Sequence, residues 1–160
     1  MGENITLSFY QEKYRQALMD FYLPAEKEQY TYLPKEVLDL SIADKDKHPV
    51  VVLLNDIPVG FFGLHLGDEV LDYKKNPNAI LLRYFSINHP YSGKGYAKET
   101  LRLLPDFAKK NFPEADEIVL AVNQKNFAAQ RLYDKSNFKD TGLRRVSPKG
   151  PQYILSYKLK

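Results

Sequence analysis

The chain of 160 residues contains no cysteine and no tryptophan. Without thiols it can form no disulfide, no thiolate metal site and no acyl-cysteine intermediate, and the lack also fits a reducing compartment. Long apolar runs are missing too: none approaches the ~20 residues a membrane span requires, and no secretory signal peptide is visible. A cytoplasmic location without a membrane partner is therefore expected. Charge of one sign is barely in excess, with 23 Lys and Arg against 20 Asp and Glu for a net +3. No basic stripe stands out, which argues against nucleic acid as a partner. Histidine is scarce, and His48, His65 and His89 do not show metal-ligand spacing, so no metal is expected. Near the start, Met1-Gly2 with Thr6 fits a myristoylation pattern and Asn4-Ile5-Thr6 a glycosylation pattern. Neither has a supporting targeting context, and both are set aside.

What is present is ordinary for a globular protein: 44% hydrophobic and 27% charged residues, with 12 Tyr and 9 Phe to supply buried area. One domain over residues 1–160 is expected. Ile5 to Tyr10 alternates apolar and polar, the period of a strand buried on one face. Helix formers follow from Gln11 to about Met19, then after Pro24, and again from Pro34 through Leu40. His48 to Leu54 and Val59 to Leu66, separated by an Asn55-Asp56 turn, predict an antiparallel hairpin. Gly67 to Asn78 is polar and reads as a loop before a strand at Ala79 to Ile87.

Apolar residues recur at helical spacing from Gly95, although Pro105 cannot bond to the Leu101 carbonyl, which predicts a kink or local break near Leu104. Glu117 to Val122 is a strand, Asn126 to Ser136 a helix, and strands follow near 138–146 and 152–159. The last strand, Tyr153 to Lys160, could pair with a partner's edge if left uncovered, so a monomer or a homodimer is expected. The strand–helix–strand unit at 79–122 is the arrangement that places a ligand at the carboxyl end of a parallel pair.

Ser92-Gly93-Lys94-Gly95 lies where strand turns into helix, and its glycines let backbone N–H groups approach a phosphate at a positive helix terminus. By itself it is equally a flexible turn, and it has neither the P-loop spacing nor the dinucleotide fingerprint. A second segment changes the reading. After the next strand comes Asn126-Phe127-Ala128-Ala129-Gln130-Arg131-Leu132-Tyr133, ending in Asn137-Phe138. Together the two segments resemble the GNAT superfamily of N-acetyltransferases, whose cofactor loop runs Gln/Arg-x-x-Gly-x-Gly/Ala and whose later helix carries Asn-x-x-Ala-x-x-Leu-Tyr before Gly-Phe. Ser92 replaces the usual Gln or Arg and Asn137 the usual Gly; Ser92 offers mainly its backbone, and Asn tolerates the left-handed conformation. Residues 79–138 carry the resemblance, the hairpin at 48–66 is in keeping, and the first 45 residues and the C-terminus match weakly.

The resemblance implies a single α/β (α+β) domain: a central mixed, mostly antiparallel sheet of six to seven strands, splayed at the cofactor site and flanked by about four helices. It implies acetyl-CoA as cosubstrate and no metal. Phe85, Ser86 and Ile87 would lend strand backbone to the pantetheine arm and thioester, besides packing in the core. Ser92, Gly93, Lys94, Gly95, Tyr96, Ala97 and Lys98 would hold the pyrophosphate, although Lys94 and Lys98 are equally solvated lysines. Asn126 would bind pantetheine or simply cap its helix, and Tyr133 would protonate the departing thiolate or simply fill the core.

Ala121 stands where some relatives carry a glutamate base, so the base is open among Tyr84, Glu26 and Glu28 acting through water, with His65 and His89 behind them. Glu26, Glu28, Tyr30 and Tyr84 are the acceptor-binding candidates, the first three from the segment Glu26 to Tyr32, whose acids and aromatic rings can receive a cation, although Glu26 and Glu28 could equally be a solvated helix face. The acceptor is expected to be a small polyamine-like or other primary amine, with a protein N-terminus or lysine and an aminoglycoside as alternatives. A non-catalytic acyl-CoA-binding module is the competing reading.

Overall fold

In the strand Lys47–Leu54 (β2), Val50 and Val52 point to one side and Val51 and Leu53 to the other, and all are buried. A strand apolar on both faces needs cover on both, and the chain supplies a layer of helices for each. The computed structural model describes residues 3–160, so Met1 and Gly2 of the myristoylation pattern lie outside the described residues. Around β2 a seven-stranded sheet assembles in the order β1-β2-β3-β4-β5-β7-β6, from Ile5–Phe9 (β1), β2, Ile57–His65 (β3), Ala79–Ile87 (β4), Glu117–Asn123 (β5), Lys139–Ser147 (β6) and Gly150–Lys158 (β7). Every neighbouring pair is antiparallel except β4 with β5.

One face is covered by Tyr96–Asn111 (α5) and Phe127–Lys135 (α6). Leu101, Leu104 and Ala108 of α5 are buried with Val50, Phe62, Ile80 and Ile118 from the sheet. The other face takes Arg15–Met19 (α1) and Pro34–Ala43 (α3), whose Leu18, Val37 and Leu38 pack with Val51, Leu53 and Phe61. Two single-turn helices, Ala25–Glu28 (α2) and Asp68–Leu71 (α4), bring the number of α segments to six, above the four or so expected.

The structure corrects three local expectations. Of the kink or local break expected near Leu104, the break is absent: α5 continues through Pro105, where burial of Leu101, Leu104 and Ala108 outweighs the loss of a single backbone bond, a cost of about 3 kcal/mol. The polar stretch after Gly67 is not all loop; it forms α4, which buries Val70. The C-terminal strand is not an edge, since β7 lies between β5 and β6 and leaves β6 outermost. The reason is the hairpin at Pro148-Lys149, which folds β7 back inside β6.

The parallel pair is pinned at one end. Glu117 is buried and accepts hydrogen bonds from Lys74 at 2.6 Å, Asn76 at 2.7 Å and the Ser156 hydroxyl. Burial would raise its carboxyl, but the bonds from Lys74, Ser156 and Asn76 prevail and hold it at about 2. A depressed carboxylate stabilises the fold fully above its ordinary value and loses that contribution as pH falls toward its folded value. Glu117→Gln should therefore cost on the order of 3 kcal/mol at neutral pH. In urea titrations the gap to the parent should close between pH 4.5 and about 2; a gap independent of pH would show that the carboxylate charge is irrelevant.

Candidate active site

Strands β4 and β5 pair only at Ala79–Glu117, Ile80–Ile118 and Leu81–Val119. Beyond that point β5 stays with β7 along its whole length, out to Asn123 opposite Gln152. Strand β4 stays with β3 but carries an extra residue, since Arg83 faces Gly63 and Ser86 faces Phe61, two positions on β3 against three on β4. The bulge includes Tyr84 at φ 61°, a left-handed conformation uncommon for a bulky residue. The strands part, and a cleft of about 980 Å³ opens between them.

Phe85, Ser86 and Ile87 line the cleft from β4. Phe85 also packs edge-on to Phe62 with centroids 6.0 Å apart, so its side chain serves the core as expected. The Ser86 hydroxyl is buried and has no hydrogen-bond partner among the described residues. At the carboxyl end of β4, Ser92, Gly93, Gly95, Tyr96, Ala97 and Lys98 form the next stretch of lining. Gly93 at φ 74° and Gly95 at φ 86° adopt conformations that side-chain-bearing residues avoid, with open space where a Cβ would stand. The first turn of α5 therefore presents its free N–H groups to the cleft mouth. Ser92 spends its hydroxyl on the His89 carbonyl at 2.7 Å, leaving its backbone to the loop. Lys94 is exposed and does not line the cleft.

Across the gap, the Asn126 Oδ1 accepts from the Ala129 N–H at 3.3 Å and caps α6, leaving its amide hydrogens for the cleft it lines. One face of α6 then sets Ala129, Leu132 and Tyr133 against the core. The Tyr133 ring meets Phe138 at 5.7 Å, and burial pushes its phenol up. Ala121 lines the same wall, with no acid beside it on β5.

The remaining wall comes from segments distant in sequence. Glu26, Tyr30 and Tyr32 stand opposite Tyr84 and the β6–β7 hairpin. The Tyr30 hydroxyl donates to the Lys125 carbonyl at 3.4 Å, and Tyr32 meets Tyr84 edge-on at 6.0 Å. Glu28 is not part of the lining; it contributes a carbonyl that accepts from Lys149 Nζ at 3.3 Å. Three cations lie on tyrosine faces: Arg83 on Tyr84 at 4.5 Å, Arg145 on Tyr73 at 4.1 Å and Lys149 on Tyr32 at 4.4 Å. Behind them, Glu69 accepts from Arg83 at 2.7 Å and lies 2.8 Å from Nδ1 of the fully buried His65. Burial opposes ionisation of Glu69, but His65 and Arg83 prevail and hold it at about 2. Neither His65 nor the exposed His89 lines the cleft.

The acetyltransferase (GNAT) family model matches residues 12–138. The chain belongs to the GNAT acetyltransferase family. A Bacillus subtilis (strain 168) protein described as uncharacterized N-acetyltransferase YbbJ is 46% identical over 98% of this chain and 99% of its own. Among solved structures, the aminoglycoside acetyltransferase AAC(6')-Ib in complex with coenzyme A shares the fold at TM-score 0.75 and 19% identity, over 97% of this chain and 95% of that one. An aminoglycoside N(6')acetyltransferase from Legionella pneumophila shares it at TM-score 0.73 and 14% identity, over 99% and 94%.

Within this GNAT acetyltransferase, sequence reasoning missed Arg83, Arg145, Lys149 and Tyr73. Arg83 carried a usable signal, a charge interrupting the apolar run Ala79–Ile87. The other three come from segments whose approach to the cleft depends on strand order. The bulge is testable by stability: Tyr84→Val should be destabilising both through the lost ring contacts and because a β-branched residue resists the left-handed region more than Tyr does. Thermal unfolding should show Tyr84→Asn losing less, because Asn tolerates that conformation; equal losses would show that the bulge stores no strain.

Proposed function

We propose that this acetyltransferase moves the acetyl group of acetyl-CoA directly to a primary amine within a ternary complex. The observation that carries the reading is the split between β4 and β5, which joins a helix N-terminal glycine loop to unpaired strand backbone and a tyrosine hydroxyl in one cleft. The residues present fit coenzyme A. The Gly93 to Lys98 turn offers N–H groups and positive potential to a pyrophosphate, and the separated stretch of β4 offers backbone donors and acceptors to an amide-bearing arm. Ser86 adds an unpartnered hydroxyl beside that backbone.

In the proposed step the neutral amine nitrogen attacks the thioester carbon, the C–N bond forms and the C–S bond breaks. Strand N–H groups stabilise the oxyanion, the nitrogen gives up its proton, and Tyr133 protonates the sulfur and is reprotonated from solvent. Tyr133 has the required properties: its hydroxyl stays protonated at neutral pH and no protein group is seen bonding to it. A buried phenol is a weak acid toward a thiolate whose conjugate acid lies near ~8.5 in water, yet the same desolvated cleft raises the thiol as well. An alkyl ammonium acceptor must first lose its proton, a cost of ~4–5 kcal/mol at pH 7. Of the bases considered, Tyr84 is pushed up by burial, more than Arg83 draws it down, and Glu28 and the histidines lie outside the lining. Glu26 acting through water remains.

Tyr133→Phe should lower kcat about 10²-fold with acetyl-CoA affinity nearly unchanged. Gly95→Val should instead remove acetyl-CoA binding, because φ 86° excludes a β-branched residue and its side chain would project into the cradle. Thiol release and calorimetry separate the two effects; full turnover in Tyr133→Phe would remove Tyr133 from the reaction.

A further inference from the structure

The acceptor side of the cleft carries positive charge that no protein acid balances. Arg83 is neutralised by Glu69 at 2.7 Å. Arg145 and Lys149, both half-buried on the β6–β7 hairpin, have no carboxylate within salt-bridge distance among the described residues. Arg145 reaches only the Gln152 side-chain oxygen, at 3.3 Å, and the face of Tyr73. Lys149 reaches only the Glu28 carbonyl and the face of Tyr32. The hairpin is held in place, since Asn123 donates to the Lys149 carbonyl at 2.9 Å. Partly desolvated cations without a counter-charge are costly, and a bound anion would relieve that cost. On the acceptor side the faces of Tyr32, Tyr73 and Tyr84 already hold the protein's own cations, Tyr30 spends its hydroxyl on the Lys125 carbonyl, and the single acid of the lining is the exposed Glu26. These electrostatics oppose a polyamine or a polycationic aminoglycoside as acceptor.

We infer that the acceptor is a small primary amine that also carries an anionic oxygen group, carboxylate or phosphate, bound by Arg145 and Lys149. The inference rests on the acetyl-transfer reading above and narrows its acceptor. The chemistry is unchanged: the amine nitrogen gains the acetyl group and loses a proton, and the sulfur gains one.

The test is thiol release from acetyl-CoA with matched acceptors: L-amino acids against their C-terminal amides, phosphoethanolamine against ethanolamine, and spermidine and kanamycin as polycations. An anionic member should exceed its neutral partner at least ~10-fold in kcat/KM, the scale of a charge-assisted hydrogen bond, and the amino-acid and phosphoethanolamine arms say which anion is preferred. Arg145→Met and Lys149→Met should collapse that ratio toward one, whereas Arg145→Lys should keep part of it. Calorimetry with acetyl-CoA separates the failures. Absence of acetyl-CoA binding overturns the acetyl-transfer reading itself. Intact binding with neutral or polycationic acceptors preferred, or with no anionic acceptor used, overturns only the inference. Weaker acetyl-CoA binding in Arg145→Met and Lys149→Met would assign these cations to a cofactor phosphate and overturn it as well.

Discussion

Beyond Leu81 and Val119 the parallel strands separate because each is committed to another partner. β5 follows β7 residue by residue out to Asn123, while β4 follows β3 through a bulge that turns it at Tyr84. At the other end Glu117 gathers Lys74, Asn76 and Ser156 and prevents the pair from parting altogether. The result is a wedge, closed below and open above, in the interior of a sheet whose other neighbours are paired. Strand backbone cannot stay unpaired in an apolar interior without cost. Here it faces a cleft that admits water or a ligand able to pair with it, as expected of a site where strands diverge at their carboxyl ends.

The groups around that opening have incomplete partnerships of different kinds. Ser86 has a buried hydroxyl without a partner, the first turn of α5 has free N–H groups, and Arg145 and Lys149 have charge without counter-charge. Outside the lining Thr100 bonds to the Tyr96 carbonyl and Ser41 to the Val37 carbonyl, and His65 Nε2 is the one buried side-chain polar atom without a partner among the described residues. The contrast locates the opening as the part of the molecule built for an additional component. The proposed donor half lies between β4, α5 and α6, and the proposed acceptor half is walled by residues from α2, the segment after α4, and the β6–β7 hairpin.

That the residues of the proposed donor half would line one cleft was legible in the sequence because they are local. Gly93, Gly95 and Ala97 lie within five residues of one another, and Asn126 and Tyr133 are two turns apart on one helix, so short-range spacing carries their geometry. The proposed acceptor half was legible only in its early segment, Glu26 to Tyr32, since Tyr73, Arg145 and Lys149 reach it only through the order of strands in the sheet. The same limit explains the misplaced edge: Tyr153 to Lys160 reads as a terminal strand, and only pairing with both β5 and β6 puts it inside. Propensity failed at Pro105 for the opposite reason, because tertiary burial of Leu101 and Leu104 overrides a local breaker. Aromatic residues near Glu26 were read as a receptor for cations, and of these the Tyr32 face is already taken by Lys149, as the Tyr73 and Tyr84 faces across the cleft are by Arg145 and Arg83.

The proposal that the β4–β5 opening receives the thioester arm is tested most directly by amide hydrogen exchange with and without acetyl-CoA. Slowed exchange should concentrate at residues 84–87 of β4 and 93–98 of the loop, with the paired residues 79–81 unchanged. Protection absent from 84–87 while acetyl-CoA is bound would contradict that placement.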